Sequence, residues 1–132
     1  MIIVLVGTKM PSHSDLNDER FIPAMTKISM LVPQNDTLVT SENFGKMVYF
    51  SKNKMIIPYS ATSEKSLFNY MVNHNFSYLL VTENFSRVHA LKQLFSNDGL
   101  NDLKTDFVKI GYFPTDMYKF HLYRIDKNTS LH

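Results

Sequence analysis

The residues Tyr78, Leu79, Leu80 and Val81 form an unbroken apolar run between Ser77 and Thr82. A run of this kind suits a strand covered on both faces, since a half-wet strand would alternate apolar with polar positions. Directly after it, Val88, Leu91, Leu94 and Phe95 return at helical spacing behind the cap candidates Asn84 and Ser86. Residues 77–95 therefore predict a central parallel strand feeding a helix, a βα unit that specifies packing without naming a reaction.

Composition narrows what can surround that unit. A chain of 132 residues has room for one domain, and at this size roughly two thirds of the unfolded surface is buried on folding. Fourteen basic against 12 acidic residues leave a formal charge of +2, too balanced to predict a nucleic-acid or anionic-membrane partner. The basic residues also come singly, at Lys46, Lys52, Lys65, Arg87, Lys92 and Lys109. There is no cysteine, hence no thiol chemistry and no Cys-ligated zinc. The opening run Ile2 to Val6 is apolar but far short of the ~20 residues that span a bilayer. It reads either as a short edge strand or as the end of a spanning helix, and taken alone the chain is expected to be soluble. Residues 1–17 are expected to be an apolar stub and irregular lead-in, 18–126 a single α/β domain, and 127–132 a frayed tail.

Phe21, Met25, Ile28 and Val32 recur at i, i+4, i+7 and i+11, the stripe of a helix with one buried face. Pro23 is expected in its first turn, where a missing N–H costs nothing, and Pro33 to stop it. Thr37 to Thr40 follows as the first strand. Ser41 can cap a short helix containing Phe44, Met47 and Val48, and the rival reading makes Met47 to Phe50 a strand. Lys54 to Pro58 predicts the second strand, and Thr62 and Glu64 open a helix whose buried stripe is Leu67, Phe68, Met71 and Val72. Asn97-Asp98-Gly99 is read as the stop of the helix after the central strand. Phe107 to Phe113 and Tyr118 to Ile125, joined through Pro114-Thr115-Asp116, predict an antiparallel hairpin at one side of the sheet with one wet face. The summed order predicts a three-layer α/β fold, a mainly parallel sheet with a C-terminal antiparallel hairpin.

Motifs for chemistry are sparse. Gly7, Gly45, Gly99 and Gly111 are scattered singly, so neither a Walker loop nor a dinucleotide fingerprint is present. His13, His74, His89, His121 and His132 lack the i, i+4 pairing of helical metal sites and read as solvated or packing residues; no metal and no cofactor is predicted. Ser12-His13-Ser14-Asp15 holds triad residue types, but chain neighbours in a loop cannot hold nucleophile, base and orienter in hydrogen-bond geometry. No catalytic residue is assigned. Topology supplies the candidate site instead, because open α/β sheets bind ligands beyond the carboxyl ends of their parallel strands. That edge would present Thr40, Ser41 and Glu42, then Tyr59 and Ser60, then Thr82, Glu83 and Asn84, hydroxyl and carboxylate groups suited to a sugar or similar ligand. Helix capping accounts equally for Ser41 and Asn84. N-x-[ST] sequons at Asn35, Asn75, Asn84 and Asn128 are compatible with an extracytoplasmic location.

The segment Ile22 to Ile125 resembles the soluble C-terminal domain of multispanning membrane glycosyltransferases, the dolichyl-phosphate-mannose mannosyltransferase and aminoarabinose-transferase type. The resemblance is carried by a helix ending in Val32-Pro33, by Asn35-Asp36-Thr37-Leu38-Val39-Thr40, and by Val48-Tyr49-Phe50-Ser51-Lys52-Asn53-Lys54 leading to Ile57-Pro58. Phe76-Ser77-Tyr78-Leu79-Leu80-Val81 looks like the family's recurrent apolar strand. Where the family often has Gly-Arg after the aromatic pair, this chain has Lys52-Asn53. The resemblance implies that Met1 to Val6 is the end of a last spanning helix and that the domain sits membrane-attached on the extracytoplasmic face. It also implies that its partner is the membrane-embedded part of the same parent chain, with a glycan or protein acceptor and no nucleic acid. No residue here matches the family's catalytic carboxylate, so the segment would be an accessory domain that transfers no sugar by itself. Two other readings stand beside it: a free-standing α/β small-ligand binder or enzyme acting at the sheet's carboxyl edge, and an interaction module using the hairpin strand Tyr118 to Ile125 for strand addition.

Overall fold

The computed structural model describes residues 13–42, 51–83, 86–92, 95–96, 99–100, 106–115 and 118–126. The elements are α1 (His13–Leu31), β1 (Leu38–Thr40), β2 (Met55–Ile56), α2 (Glu64–Asn73), β3 (Tyr78–Thr82), α3 (His89–Lys92), β4 (Phe95–Ser96), β5 (Gly99–Leu100), β6 (Phe107–Pro114) and β7 (Lys119–Ile125). Five strands form one open mixed sheet in the order β2-β1-β3-β7-β6, and β4 pairs with β5 separately. β1 runs parallel to both β2 and β3, whereas β7 runs antiparallel to both β3 and β6. The chain is an α/β fold.

Strand β3 occupies the middle, as the apolar run requires. Alternation sends its side chains to two cores. Leu79 and Val81 join Val39, Tyr123, Ile125 and Phe107 beneath Leu67, Phe68 and Met71 of α2 and Val88 and Leu91 near α3. On the opposite face Leu80 joins Leu38, Phe120 and Leu122 beneath Ala24, Met25, Ile28 and Val32, the buried side of α1 and its exit. Leu79, Leu80 and Val81 are fully buried, each worth about 2 kcal/mol in area removed from water.

Helix ends follow local chemistry. Ser63, extended at φ −146°, caps α2: its Oγ accepts the Ser66 N–H at 3.0 Å, and the Ser66 Oγ accepts the Ser63 N–H at 2.9 Å. This reciprocal pair satisfies two donors that a helix start leaves orphaned. At the other end Asn75 adopts φ 60°, while Phe76 N–H donates to Met71 O and Asn75 N–H to Val72 O. Asparagine tolerates that left-handed position better than most residues, which is why the helix closes there.

A second clamp holds the loop before β2. Asn53 is buried, and its Nδ2 donates to Pro33 O at 2.7 Å and to Asp36 O at 3.0 Å. Ser51 Oγ accepts the Asn53 N–H at 3.0 Å, and Leu38 N–H donates to Lys54 O at 2.8 Å. One amide thus ties the turn after α1 to the approach of β2.

Several sequence expectations are corrected. α1 begins at His13, so residues 13–17 are helical and Pro23 lies inside the helix, not in its first turn; the extension costs one internal hydrogen bond, because proline has no N–H to donate. Val72 is exposed, since the buried side of α2 is set by Leu67, Phe68 and Met71. Helix α3 is a single turn, and Phe95, expected on its stripe, pairs instead with Leu100, while Gly99 pairs with Ser96 rather than ending a helix. β7 is no wet flank: with β3 and β6 on its two sides, Phe120 through Tyr123 are all buried. Both its edges are taken, so strand addition at Tyr118 to Ile125 is ruled out, and β6 is the outer strand. The expected helix behind Ser41, with Phe44, Met47 and Val48, its rival strand, the Met1 to Val6 run and the 127–132 tail lie outside the described residues.

Strand β6 carries one further local device. Its register with β7 shifts between Lys109 and Gly111, and the Phe113 ring folds back over Gly111. A Cβ at position 111 would stand 2.5 Å from Phe113 Cζ. This glycine is needed for closeness alone, because its φ is not positive.

Candidate functional site

The carboxyl ends of β1, β2 and β3 gather most of the residues expected there, and the backbone explains how. Ser41 N–H donates to Leu80 O at 3.0 Å, and Ser41 Oγ accepts the Thr82 N–H at 3.0 Å, so the side chain continues the ladder where β1 runs out. Ser41 O then accepts the Arg87 N–H at 2.8 Å, binding the segment after β3 to the tip of β1. Ser41 is completely buried. Its hydroxyl is a structural staple and is not presented to solvent.

Thr40 and Thr82 are also fully buried, at the ends of β1 and β3. Alternation places both on the α1 face, and neither Oγ1 has a hydrogen-bond partner among the described residues. Glu83 turns to the other face. Its N–H donates to Lys119 O at 2.9 Å, and its Oε2 lies 2.6 Å from His121 Nε2, with both side chains 7% exposed. The Tyr112 ring packs against the imidazole at a centroid distance of 4.9 Å. This pair joins the end of β3 to the interior of β7 and buries a carboxylate that an isolated site would not tolerate.

Glu42 and Tyr59 have a different character. Arg87 Nε sits 2.7 Å from Glu42 Oε1 and 2.9 Å from Oε2, so one N–H is shared between both carboxylate oxygens. The Arg87 side chain is 59% exposed, whereas the Glu42 side chain is 12% exposed. The hydrogen bond to Glu42, then its charge, and then Tyr59 push the Arg87 pKa up from an already high value, so the group is cationic throughout the working pH range. Tyr59 stands beside it, 62% exposed.

The expected edge therefore divides. Thr40, Ser41, Thr82 and Glu83 are interior, Glu42 and Tyr59 are at the surface with Arg87, and Asn84 lies outside the described residues. Arg87 and His121 were not among the expected site residues. Arg87 is hidden in the sequence because it comes six residues after the apolar run and reads as a solitary surface charge. His121 was hidden because its alternation with Phe120 and Leu122 suggested a wet face, and only the pairing of Val81 with His121 brings it to Glu83.

A cleft of about 280 Å³ opens at the same edge but beside β6, lined by Pro23, Ala24 and Lys27 of α1 and by Tyr112 to Thr115. Lys27 and Thr115 supply polar groups there, and Thr115 Oγ1 donates to Tyr118 O and accepts the Tyr118 N–H. No cluster of three or more potential metal ligands occurs among the described residues. None of their helices is long and apolar enough to cross a membrane. Compared with family models, curated proteins and solved structures, the chain matches none of them.

Proposed function

We propose that this chain is the extracytoplasmic accessory domain of a membrane glycosyltransferase that uses a lipid-linked sugar donor, a three-layer domain whose mainly parallel half is extended by a hairpin. The observation that carries the reading is the order in which the resembling segments fall on the fold. The Val32-Pro33 pair just after α1, the Asn35 to Thr40 segment leading through β1, the Asn53-Lys54 to Ile57-Pro58 stretch around β2 and the Phe76 to Val81 segment entering β3 follow one another along the fold. The domain acts as a partner to the membrane-embedded part of its parent chain and transfers no sugar unaided. Reading upstream of Met1 in the natural gene, and fractionating its product after alkaline extraction of membranes, tests this. Encoded membrane spans and retention in the membrane pellet are expected; a reading frame without spans whose product is released would overturn it.

A free-standing α/β binder of small ligands is the second reading, favoured by the position of Glu42, Tyr59 and Arg87 beyond the parallel strands. The same fractionation separates the two.

A further inference from the structure

The parallel part of the sheet is laid first on one side of β1 and then on the other, because β2 and β3 flank it. The carboxyl edge shared by β1 and β3 lies where open α/β sheets place their ligands. Glu42 leaves β1 and Arg87 follows β3 at that edge, and the two are joined through both carboxylate oxygens. Tyr59, beyond the end of β2, completes the group.

Three properties of this group restrict its ligand. Glu42 fixes the plane of the guanidinium, and no partner of Arg87 beyond Ser41, Glu42 and Tyr59 occurs among the described residues; the pair with Glu42 is made through Nε, and the Arg87 side chain is 59% exposed. Tyr59 adds an exposed aromatic ring with a hydroxyl at its tip. Charge is cancelled locally, because Arg87 is matched by Glu42. A free phosphate or nucleotide would meet a cation already neutralised. A neutral ring bearing several hydroxyls would instead find oriented donors, an aromatic surface for its C–H face and no net charge to oppose it.

We propose that Glu42, Arg87 and Tyr59 form a binding site for a neutral sugar ring. The inference goes beyond the accessory-domain reading and is independent of membrane attachment, so the loss of either leaves the other standing. The test is titration of the isotopically labelled 132-residue chain with methyl hexopyranosides to about 50 mM, followed by amide chemical shifts, with inorganic phosphate at equal ionic strength as the second arm. Dissociation constants in the millimolar range are expected for a site of this size, on the order of −4 kcal/mol, with shifts centred on Ser41, Glu42, Tyr59 and Arg87. Tyr59→Ala is expected to weaken binding about tenfold and Tyr59→Phe only two- to threefold, roughly the loss of a stacking surface and of one hydroxyl. Arg87→Lys, which keeps the charge but not the planar fork, should weaken it about fivefold. Silence of these amides toward every glycoside overturns the proposal. So does phosphate binding tighter than any glycoside, or undiminished binding by a folded Tyr59→Ala variant.

Discussion

Replacing Asn53 with Asp changes the side-chain nitrogen into an oxygen and leaves its size almost unchanged. That nitrogen donates to Pro33 O at 2.7 Å and Asp36 O at 3.0 Å from a buried position. Asn53→Ala removes two hydrogen bonds worth about 1 kcal/mol each and leaves two carbonyls short of a partner, so a loss of about 2–3 kcal/mol is expected. Asn53→Asp is expected to cost more, about 3–5 kcal/mol at neutral pH, because an ionised acceptor would face two acceptors with no cation between them. For a chain of this size each kcal/mol moves the melting temperature by about 4 °C. Urea unfolding with an unchanged m-value, compared with thermal melts, reads the effect. The pH dependence supplies a sharper criterion. Protonation restores one donor at position 53, so the folded state raises the pKa of this introduced carboxyl above its unfolded value. The folded state then binds more protons than the unfolded, and the deficit relative to wild type should be full above the folded-state pKa and shrink as pH falls through it. Wild-type stability in Asn53→Asp at neutral pH, or a deficit that does not shrink on acidification, would refute the clamp.

Leu79→Ala, at the centre of the sheet and wholly buried, should destabilise the chain by about 2–5 kcal/mol in urea unfolding. Thr82→Val replaces a buried hydroxyl that has no partner among the described residues; a neutral result or a gain of up to about 1 kcal/mol is expected, and a loss above that would mean the hydroxyl is satisfied. For Glu83 and His121, 2.6 Å apart, a double-mutant cycle with Glu83→Gln and His121→Gln should return a coupling of about 1–3 kcal/mol, and additivity would dismiss the pair as a stabilising contact.

Sequence legibility followed the range of the interactions involved. The central strand was readable because four consecutive apolar residues can be satisfied only between two covered faces. Pro33 was readable as a helix stop, because backbone geometry is local. α1 extended past Pro23 because tertiary packing of Ala24, Met25 and Ile28 outweighs one missing hydrogen bond. β7 was misjudged because alternation reports polarity, while the second core and the Glu83 carboxylate that accommodate Tyr123 and His121 come from other strands. The site shows the same division. The topology placed Glu42 and Tyr59 beyond the ends of β1 and β2, where they lie, but the contact between Glu42 and Arg87 spans 45 positions in the chain, and no spacing rule encodes it.

The fold-back of Phe113 onto Gly111 has an evolutionary corollary. A methyl group at 111 would push the Phe113 ring aside, and Leu31 Cδ1 lies 3.5 Å from where that methyl would stand. Residues at 111 and 113 are therefore expected to vary together, a larger first residue going with a smaller or redirected second.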